Sequence, residues 1–541
     1  WYTKDYQSFI DYNIQDVEIV DKLEDKMGLI SLLLTMAYEA KVNYEDVFGS
    51  VKYWDVLVYN FLRKRKIAIP QKTSNSKSEK YEGAYVKEPQ TGLHNWVLSF
   101  DLNSLYPHLI MQYNLSPETL LKSKNQNINV DDMLEKTKLN LIEKTTMTPN
   151  GALFKTNKQG FLPAMMQELY NDRVIYKKKM LQAQQDYEDT KDEKYVKLIS
   201  RYNNIQMARK ISLNSAYGAI GNQWFRYYDI AIAEGITTSG QLSIRWIENK
   251  VNNYLNKILD TNDKDYVIAS DTDSIYITLD ELVSRVKPKN PVEFLNKVAT
   301  EKLEPFIDDS YKELSQYTQA FENKMMMKRE VIADKGIWVA KKRYILNVFD
   351  SEGVSYKEPK LKMMGIEAVK SSTPLICREK IKEALKIIMS GDEKTLNDFI
   401  QDFHKKFTSV NPKEIAFPRS VNGLKKYSDS STTFKKGTPM HIKGCLIYNH
   451  KIKQNKLIHK YPLIQEGDKI KFLYMKQPNP YSANVISFMS VLPEEFKVNS
   501  YIDYDIQFEK VFVDPLILIV NSINWKIDTT YGTQGTLEDF F

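Results

Sequence analysis

Two acidic segments of the chain carry carboxylates beside apolar runs. Asp101 directly follows Phe100, and Asp271 and Asp273 lie two positions apart in the short polar stretch 270–274. Two divalent ions about 3.5–4 Å apart can neutralise and align a phosphate for in-line displacement. Mg²⁺ takes carboxylate and phosphate oxygens as ligands. If the fold brings the two segments side by side, they predict a two-metal site for phosphoryl transfer.

The positions of this predicted metal site have different expected roles. Asp101 and Asp273 are expected to bridge both ions, and the carbonyl oxygen of Leu102 to complete one coordination shell. Asp271 is expected to lie at the periphery as a further acid. A lone Asp-x-Asp stretch is more often an ordinary turn, because Asp favours turns. The surrounding motifs therefore decide between the two interpretations.

Strands and helices flank these acids. Residues 96–100 form a strand-like run that leads into Asp101, and residues 266–270 and 275–277 predict a β-hairpin around the second acidic stretch. Residues 164–218 predict two helices, of which the first is strongly basic and the second ends at Gly218. The strand and the hairpin would position the acids.

The rest of the chain is mixed in type. Residues 1–70 are predicted to be largely helical from their i, i+3, i+4 apolar spacing, and residues 72–79 to form an exposed polar loop or linker. Helical patterns return at 378–389 and 394–407, and short strands follow from residue 442 onward. The pattern predicts several domains that contain both helices and strands.

Composition limits the classes of protein to which this chain can belong. The chain has 541 residues, more than one compact core usually holds, and its formal net charge of +7 is by itself weak support for nucleic-acid binding. No apolar run reaches the ~18 residues of a membrane span, and no secretory signal is visible. Two cysteines, Cys377 and Cys445, are too few for a disulfide framework or a zinc cluster, which fits a reducing cytoplasm.

Four motifs occur in one order along the chain. They are Asp101-Leu102-Asn103-Ser104-Leu105-Tyr106-Pro107, Lys210-x3-Asn214-Ser215-x-Tyr217-Gly218, Asp271-Thr272-Asp273-Ser274 and Lys341-Lys342-Arg343-Tyr344. In this combination the sequence resembles the family B DNA polymerases, in particular those of T-even-type bacteriophages, from Tyr12 to the C-terminus. His108 and Ser270 depart from the family pattern, which usually has serine and glycine at these positions. Neither departure removes a metal ligand, so activity is expected to survive both.

The resemblance implies an α+β multidomain fold of the right-hand polymerase type, with palm, helical fingers and thumb. The expected segments are a C-terminal remnant of an exonuclease region at 1–28, a helical segment of N-terminal domain type at 29–71, the palm at 72–159 and 223–366, the fingers at 160–222, the thumb at 367–533 and a clamp-binding tail at 534–541.

A nucleotide-binding site is also implied. Arg173 and Lys177, one helical turn apart, and Lys210 on the second helix are expected to clamp the triphosphate of an incoming deoxynucleotide. Lys210 is also expected to take part in catalysis with the three aspartates. Without the motifs, a basic helix face exposed to solvent would be the simpler interpretation of these cations.

Further residues of the nucleotide site come from the family motifs. Tyr106 is expected to stack under the deoxyribose and to exclude a 2′-hydroxyl group. Asn214 and Tyr217 are expected to line the nascent base pair on its minor-groove side. The remaining nucleotide contacts are expected from residues that flank Tyr106 and the first acid: Leu102, Ser104 and Leu105.

Two basic regions are expected to hold primer–template DNA. Lys341, Lys342, Arg343 and Tyr344 resemble the family's contact to the minor groove and backbone, which fixes register without reading sequence. Residues 441–460 contain five lysines and no acid, which suggests part of a thumb that grips duplex DNA or, alternatively, a basic patch that aids solubility.

The N-terminal segment resembles part of a proofreading exonuclease. Tyr12 and Asp16 match the family's third exonuclease motif, but the acids of the two earlier motifs are not in this sequence. One acid cannot assemble a two-metal hydrolytic site. The chain by itself is therefore expected not to proofread. Because it starts at Trp1, it is expected either to be a truncated fragment or to work with a separate exonuclease polypeptide.

The last eight residues fit a sliding-clamp-binding peptide of the form Q-x-x-L-x-x-F-F. Gln534, Leu537, Phe540 and Phe541 supply its positions, and the three apolar side chains would fill an apolar pocket of the clamp. The alternative is that the tail folds back on the thumb. Deletion of the tail is expected to spare distributive synthesis and to abolish stimulation by a clamp.

These features predict a template-directed DNA polymerase that extends a primer 3′ end with two Mg²⁺ ions, for which Mn²⁺ can substitute. Its expected partners are primer–template DNA, deoxynucleoside triphosphates and a sliding clamp, without a membrane, in the cytoplasm of an infected bacterial host. Two alternatives are an exonuclease-type nuclease and a non-catalytic DNA-binding subunit of a replisome. A triphosphate requirement would discriminate against the first, and loss of replication on Asp101→Ala against the second.

Overall fold

A computed structural model describes residues 5–72, 80–121, 127–429 and 432–528. The fold contains both helices and strands, as predicted, and divides into two compact units. Unit 1 comprises residues 1–86, 100–275 and 296–329, and unit 2 comprises residues 87–99, 276–295 and 330–541. No helix in the described ranges is both long enough and apolar enough to cross a membrane.

The α-helices in chain order are α1 (Tyr6–Met27), α2 (Leu29–Ala40), α3 (Ser50–Lys64), α4 (Leu105–Gln112), α5 (Val130–Leu134), α6 (Phe161–Thr190), α7 (Lys194–Ile220), α8 (Ile230–Ile258), α9 (Asp280–Val286), α10 (Pro291–Val298), α11 (Glu304–Tyr317), α12 (Leu375–Ser390), α13 (Glu393–Phe407), α14 (Pro412–Ile415), α15 (Leu424–Tyr427), α16 (Met440–Gln454), α17 (Tyr504–Phe508) and α18 (Asp514–Asn521).

The strands are β1 (Gly92–Leu102), β2 (Thr145–Met147), β3 (Leu153–Lys155), β4 (Val267–Asp271), β5 (Ser274–Thr278), β6 (Met327–Ala340), β7 (Arg343–Ser351), β8 (Val354–Met364), β9 (Phe417–Ser420), β10 (Ser428–Asp429), β11 (Thr433–Phe434), β12 (Lys469–Tyr474) and β13 (Val485–Phe488). The predicted strand before Asp101, the predicted β-hairpin and the two predicted helix pairs are confirmed.

Helices α6 and α7 of unit 1 form a long antiparallel pair. Helix α6 ends where Lys191 adopts a left-handed conformation, with φ 55°. Helix α7 does not end at Gly218 as predicted but continues to Ile220 and stops at Gly221. Gly218 has no positive φ and lies inside α7, so this glycine causes no break in the helix.

The N-terminal helices of unit 1 support α7. Trp54 of α3 is 1% exposed, and its Nε1 donates a 3.0 Å hydrogen bond to the Oγ of Ser215. One turn earlier along α7, the hydroxyls of Tyr53 and Ser212 lie 2.7 Å apart. Buried hydrogen bonds between side chains fix the register of two packed helices. Helix α1 differs from α3, because none of its residues is buried.

Unit 2 contains an antiparallel sheet and a hydrophobic core to which both strands and helices contribute. Strand β7 pairs with β6 and β8, with Val331 opposite Ser351 and Tyr344 opposite Met364. A second, three-stranded sheet has the order β13-β12-β9. Four phenylalanines pack among the later helices with neighbouring ring centroids 4.8–5.7 Å apart: Phe403, Phe407, Phe508 and Phe512. Each buried Phe contributes roughly 1.5–3 kcal/mol to stability.

Candidate active site

Backbone pairing joins the two acidic segments within unit 1. The N–H of Leu102 donates a 2.8 Å hydrogen bond to the carbonyl of Asp273. Asp101 therefore lies at the end of β1, directly beside the turn that carries Asp273. Both aspartate side chains are half-buried, so they are accessible from solvent without being flexible surface groups. The fold thus brings together the two acids that the sequence analysis assigned to the metals.

The acidic turn has a constrained backbone. Thr272 is in the left-handed region, with φ 60°, and its N–H donates to the carbonyl of Tyr85 at 3.0 Å. The hydroxyl of Thr272 donates to a carboxylate oxygen of Asp271 at 3.0 Å, and the hydroxyl of Ser274 donates to the Asp271 carbonyl at 3.3 Å. Asp271 is therefore part of the hydrogen-bond network that shapes the turn.

The departure at Ser270 does not strain the hairpin. The left-handed residue of the turn is Thr272, and Ser270 has no positive φ. The hairpin therefore does not need the conformational freedom of glycine at position 270. The Ser270 side chain is 2% exposed.

The donor set fits ions that share their ligands with a phosphorylated substrate. Within the described ranges no group of three or more His, Cys, Asp or Glu side chains is close enough to hold a metal ion. Asp101 and Asp273 offer carboxylate oxygens, and Leu102 follows Asp101 directly and pairs through its N–H with Asp273. Mg²⁺ is commonly bound by one or two carboxylates with substrate phosphates and waters as the remaining ligands.

Tyr106 lies in a packed aromatic environment at the start of α4. Its ring centroid is 4.8 Å from that of Tyr217, at an interplanar angle of 57°. Burial raises the pKa of Tyr106, and the negative charge of Asp273 raises that pKa further. The hydroxyl of Tyr217 donates to the hydroxyl of Tyr81 at 3.3 Å. Tyr106 therefore lies near Asp273, a predicted metal ligand, and is held by two residues from other segments of unit 1: Tyr217 and, on α8, Gly240.

Two residues near Tyr106 and Tyr217 were not among the predicted site residues: Gly240 and Tyr81. A Cβ atom at Gly240 would lie 3.3 Å from Cε1 of Tyr106, which is closer than an ordinary contact. Tyr81 reaches Tyr217 from the segment that follows the N-terminal helices. The signal for Gly240 in the sequence is a glycine inside a helical pattern, which costs about 1 kcal/mol relative to alanine and needs a packing reason.

Arg173 is the candidate triphosphate ligand with the most informative surroundings. Its Nη1 donates to the Oγ of Ser104 at 3.3 Å. Its Nε is buried and has no hydrogen-bond partner among the described residues. A buried guanidinium N–H normally has an acceptor. Among the described residues, the Nε atoms of Arg209, Arg343 and Arg378 are also buried without a hydrogen-bond partner, so this feature is not specific to Arg173. Lys177 and Lys210 are exposed on α6 and α7.

The neighbouring Arg209 has a structural role. It forms an ion pair with Glu39 of α2, and its Nη2 lies 3.4 Å from a carboxylate oxygen of Asp172. Burial raises the pKa of Glu39, and the charge of Arg209 opposes that increase. Arg209 thus ties α7 to α2 and α6, and Lys210 points to a different, exposed side of α7.

The remaining predicted nucleotide contacts lie at the end of β1, around the start of α4 and on α7. Asn214 is exposed, whereas Leu105 is 4% exposed and Leu102 is 1% exposed, so their side chains belong to the core. Ser104 precedes α4 in the left-handed region, with φ 46°. Leu102 and Leu105 can therefore face a nucleotide only through their main chain.

The predicted DNA contacts of unit 2 divide into exposed and buried positions. Lys341 and Lys342 form the exposed turn between β6 and β7, and Lys341 lies 3.2 Å from a carboxylate oxygen of Glu88. Arg343 donates two hydrogen bonds to Glu367, at 2.8 and 3.1 Å. Tyr344 is 6% exposed. Only the two lysines therefore present their charges to solvent.

Tyr344 belongs to an aromatic cluster inside unit 2. Its hydroxyl lies 2.8 Å from that of Tyr276, and its ring stacks on Trp338 with centroids 5.3 Å apart. The ring of Tyr276 also meets that of Trp338 edge-on. Tyr344 thus fixes the strand beneath the turn that carries the two lysines.

The lysines of residues 441–460 are not one uniform basic face. Lys443 donates to the side-chain carbonyl of Asn484 at 2.8 Å, and burial lowers the pKa of this lysine. Lys460 pairs with Glu495 at 2.6 Å. Lys453 and Lys456 are exposed, whereas Lys451 is half-buried and donates to the side-chain oxygen of Gln454 at 2.9 Å.

The two terminal predictions have different outcomes. Tyr12 and Asp16 lie on α1 with exposed side chains, and the described residues provide no metal-binding cluster around Asp16. The clamp-binding positions lie outside the described residues: Gln534, Leu537, Phe540 and Phe541.

Comparison with known proteins gives consistent results. The model of DNA polymerase family B matches residues 50–531. The chain is 34% identical to the DNA-directed DNA polymerase of Enterobacteria phage T4 over 94% of this chain and 63% of that protein. It is 35% identical to that of Escherichia phage RB69 over 99% of this chain and 65% of that protein. DNA polymerase 1 of Pyrococcus abyssi is 27% identical over 58% of this chain. The chain thus spans about 63–65% of the length of its two phage relatives.

Proposed function

The chain belongs to DNA polymerase family B, and on that premise we propose that it is a template-directed DNA polymerase that extends a primer 3′ end with deoxynucleotides. The observation that carries the proposal is the hydrogen bond between Leu102 and Asp273, which joins the two acidic segments. Around this pair, unit 1 also contains an aromatic side chain near one acid and a buried arginine donor without a protein acceptor.

Two Mg²⁺ ions, or Mn²⁺ in their place, are the proposed cofactors. Asp101, Asp273 and the Leu102 carbonyl would hold them, with Asp271 at the periphery. When bound, the ions would neutralise phosphate charge and align the attacking and leaving oxygens. The protein's own contribution is to hold the acids on adjacent strands before the substrate arrives, which lowers the cost of reorganisation.

The cations of α6 and α7 bind the triphosphate in this proposal. Arg173 donates from Nε to a phosphate oxygen and keeps its contact with Ser104, whereas Lys177 and Lys210 act as point charges. Exposed lysines on two packed helices can approach a ligand together if these helices move as fingers. Lys210 is the proposed catalytic cation, because it would stabilise charge on the leaving phosphates.

The sugar and base are recognised by residues of α4 and α7. The ring of Tyr106 would lie under the deoxyribose, where it excludes a 2′-hydroxyl group. Asn214 and Tyr217 would face the minor-groove side of the new base pair. The support is the direct packing of Tyr106 on Tyr217, which joins the sugar and base contacts into one surface.

In this proposal the roles above divide the chain into a palm, fingers and a thumb. The strands with the acids form the palm, α6 and α7 the fingers, and residues 367–533 the thumb. Lys341 and Lys342 would contact the phosphates of primer–template DNA from the turn between β6 and β7. Arg343 and Tyr344 would support that turn, since both have partners inside unit 2.

Two protein partners and a place of action complete the proposal. Helix α1 would pack against an exonuclease region, in a longer form of this chain or in a separate polypeptide, because it exposes a set of large apolar side chains. They are Tyr6, Phe9, Tyr12, Ile14, Val17, Ile19, Val20, Leu23 and Met27. The C-terminal tail would bind a sliding clamp. Both interactions would take place in the cytoplasm of an infected bacterium.

Primer extension by the purified chain tests the central proposal. Asp101→Asn and Asp273→Asn are each expected to reduce kcat by at least roughly a hundredfold, because each removes a carboxylate from the metal site. The matched control is Asp263→Asn: Asp263 is exposed with φ 52°, a conformation that asparagine also adopts well. Extension that is equally fast in all three variants would contradict the assignment. Excision of a mismatched 3′ end that depends on Asp16 would favour the nuclease alternative.

A further inference from the structure

His108 is a buried residue of α4 that connects two parts of unit 1. It stands where the family pattern usually has serine, and it is 6% exposed. Its Nδ1 lies 3.0 Å from the carbonyl oxygen of Ser104, one turn earlier. A carbonyl oxygen can only accept, so Nδ1 carries the proton and donates this hydrogen bond.

The other contact of His108 is with the long helix α6. Its ring packs edge-on against the ring of Tyr170, with centroids 4.5 Å apart and an interplanar angle of 84°. Burial lowers the pKa of His108, and the positive charges of Lys324 and Arg173 lower it further. A neutral imidazole with its proton on Nδ1 agrees with both contacts.

The hydrogen bond from His108 supports an unfavourable backbone conformation. Ser104 has φ 46°, in the left-handed region that residues other than glycine seldom adopt. The carbonyl of Ser104 accepts from the backbone N–H of His108 at 3.2 Å as well as from its ring. Ser104 is thus held in place from one turn further along α4.

Ser104 in turn positions the arginine of the site. Its Oγ accepts from Arg173, which lies one turn after Tyr170 on α6. Two contacts therefore link the same faces of α4 and α6, one from Ser104 to Arg173 and one from His108 to Tyr170. A change at His108 alters the first contact through the conformation of Ser104.

We propose that His108 is a positioning residue for the triphosphate, which acts by holding Ser104 in the conformation that places Arg173. The proposal rests on the proposed function and deepens it, because the family pattern supplies no ring at this position. The residue acts through its donor. Its ring contact is of secondary importance for nucleotide binding.

Three substitutions at His108 separate the effect of the Nδ1–H donor from the effect of the ring contact with Tyr170. His108→Phe keeps a ring against Tyr170 and removes the donor. His108→Ser removes the ring but keeps a hydroxyl that can donate to the carbonyl one turn earlier. His108→Ala removes both the ring and the donor.

The KM and kcat for dCTP are measured in primer extension opposite dG. The Kd of dCTP is measured on a dideoxy-terminated primer–template, where no chemistry follows.

The expected result is a raised KM and Kd with little change in kcat. Loss of one hydrogen bond predicts an increase of roughly fivefold for His108→Phe and His108→Ala, and of less than about twofold for His108→Ser. In the background of Arg173→Ala the His108→Phe change is expected to have no further effect, because the residue it acts through is absent.

Other results would overturn the proposal. A normal KM in His108→Phe, or an effect that persists in the Arg173→Ala background, would show that His108 serves packing alone. A lowered kcat with unchanged Kd would do the same. If the unsubstituted chain binds dCTP and extends primers, only the His108 proposal is at stake. If it does neither, the polymerase function and the His108 proposal both fail.

Discussion

Gly240 of α8 lies directly against the ring of Tyr106, so close that a Cβ atom at position 240 would be 3.3 Å from Cε1. The absence of a side chain on α8 therefore sets the position of a ring on α4. Since Tyr106 also packs on Tyr217, the ring has little room to move away. The geometry of the proposed sugar contact therefore depends on a helix to which the proposal assigns no ligand-binding residue.

Gly240→Ala is expected to raise the KM for deoxynucleotides by about threefold or more, because the added methyl group displaces the Tyr106 ring in a closely packed site. Exclusion of ribonucleotides should persist, since the ring is still present. The control is Gly49→Ala, where the nearest atom to an added Cβ is 3.8 Å away. Steady-state primer extension with both nucleotide types measures the effect, and equal KM values for the two variants would contradict it.

Tyr106→Ala is expected to have a different effect on the same site. Removal of the ring should keep deoxynucleotide insertion and admit ribonucleotides, so that the ratio of the two kcat/KM values falls by at least roughly tenfold. Tyr106→Phe keeps the ring and should keep the discrimination. Unchanged discrimination in Tyr106→Ala would show that the ring does not contact the sugar.

Gly365→Ala is expected to disturb the turn that carries Lys341 and Lys342. Gly365 has φ 63°, and an added Cβ would clash with the carbonyl oxygen of Lys342. The expected loss in the free energy of unfolding is roughly 2–4 kcal/mol, from the clash and the strained backbone together. Affinity for primer–template DNA should fall as well, which fluorescence anisotropy can measure.

Gly353→Ala separates the effect of the clash from the effect of backbone strain. Gly353 also has a positive φ, 89°, but a Cβ there would meet no atom within 4 Å. Its substitution should cost only the backbone strain, about 1 kcal/mol, and leave DNA affinity unchanged. If both variants lose the same stability and the same affinity, the clash at Lys342 has no role.

The two cysteines are expected to resist alkylation in the folded protein. Cys377 and Cys445 are 0% exposed, and burial raises the pKa of each thiol to about 12. At pH 8 the reactive thiolate is therefore a very small fraction in the folded state and a larger one after unfolding. Mass spectrometry after iodoacetamide treatment should find both cysteines unmodified without urea and modified with it. Rapid modification of the folded protein would contradict this burial.

The sequence was sufficient to predict the strand before Asp101, the hairpin around Asp271 and the helix pair of α6 and α7, but not the backbone pairing that joins the two acidic segments. The apolar run before Asp101 and the hairpin pattern around Asp271 are local signals, and so is the periodicity of α6 and α7. The predicted end of α7 at Gly218 was wrong, because the helix continues through Gly218 and ends before Gly221. Local patterns identify elements more reliably than their ends.

The partners of individual side chains could not be predicted in this way. Arg343 and Tyr344 lie in a basic motif, yet one pairs with Glu367 and the other is buried against Trp338. The contact between Gly240 and Tyr106, and the left-handed conformation of Ser104, also depend on residues far away in the sequence. Packing between residues that are distant in the sequence decides these features, and no local periodicity of the sequence encodes that packing.

The buried Nε of Arg173 has a consequence for how a ligand would bind. A guanidinium group in solution must lose water before it can grip a phosphate, and that loss opposes binding. In this protein the folding of unit 1 has already removed water from the Nε, since it is buried before any ligand arrives. In the proposed site, an anion would meet a guanidinium group that the protein has already partly dehydrated and oriented. Part of the affinity for such an anion would therefore be set when the protein folds.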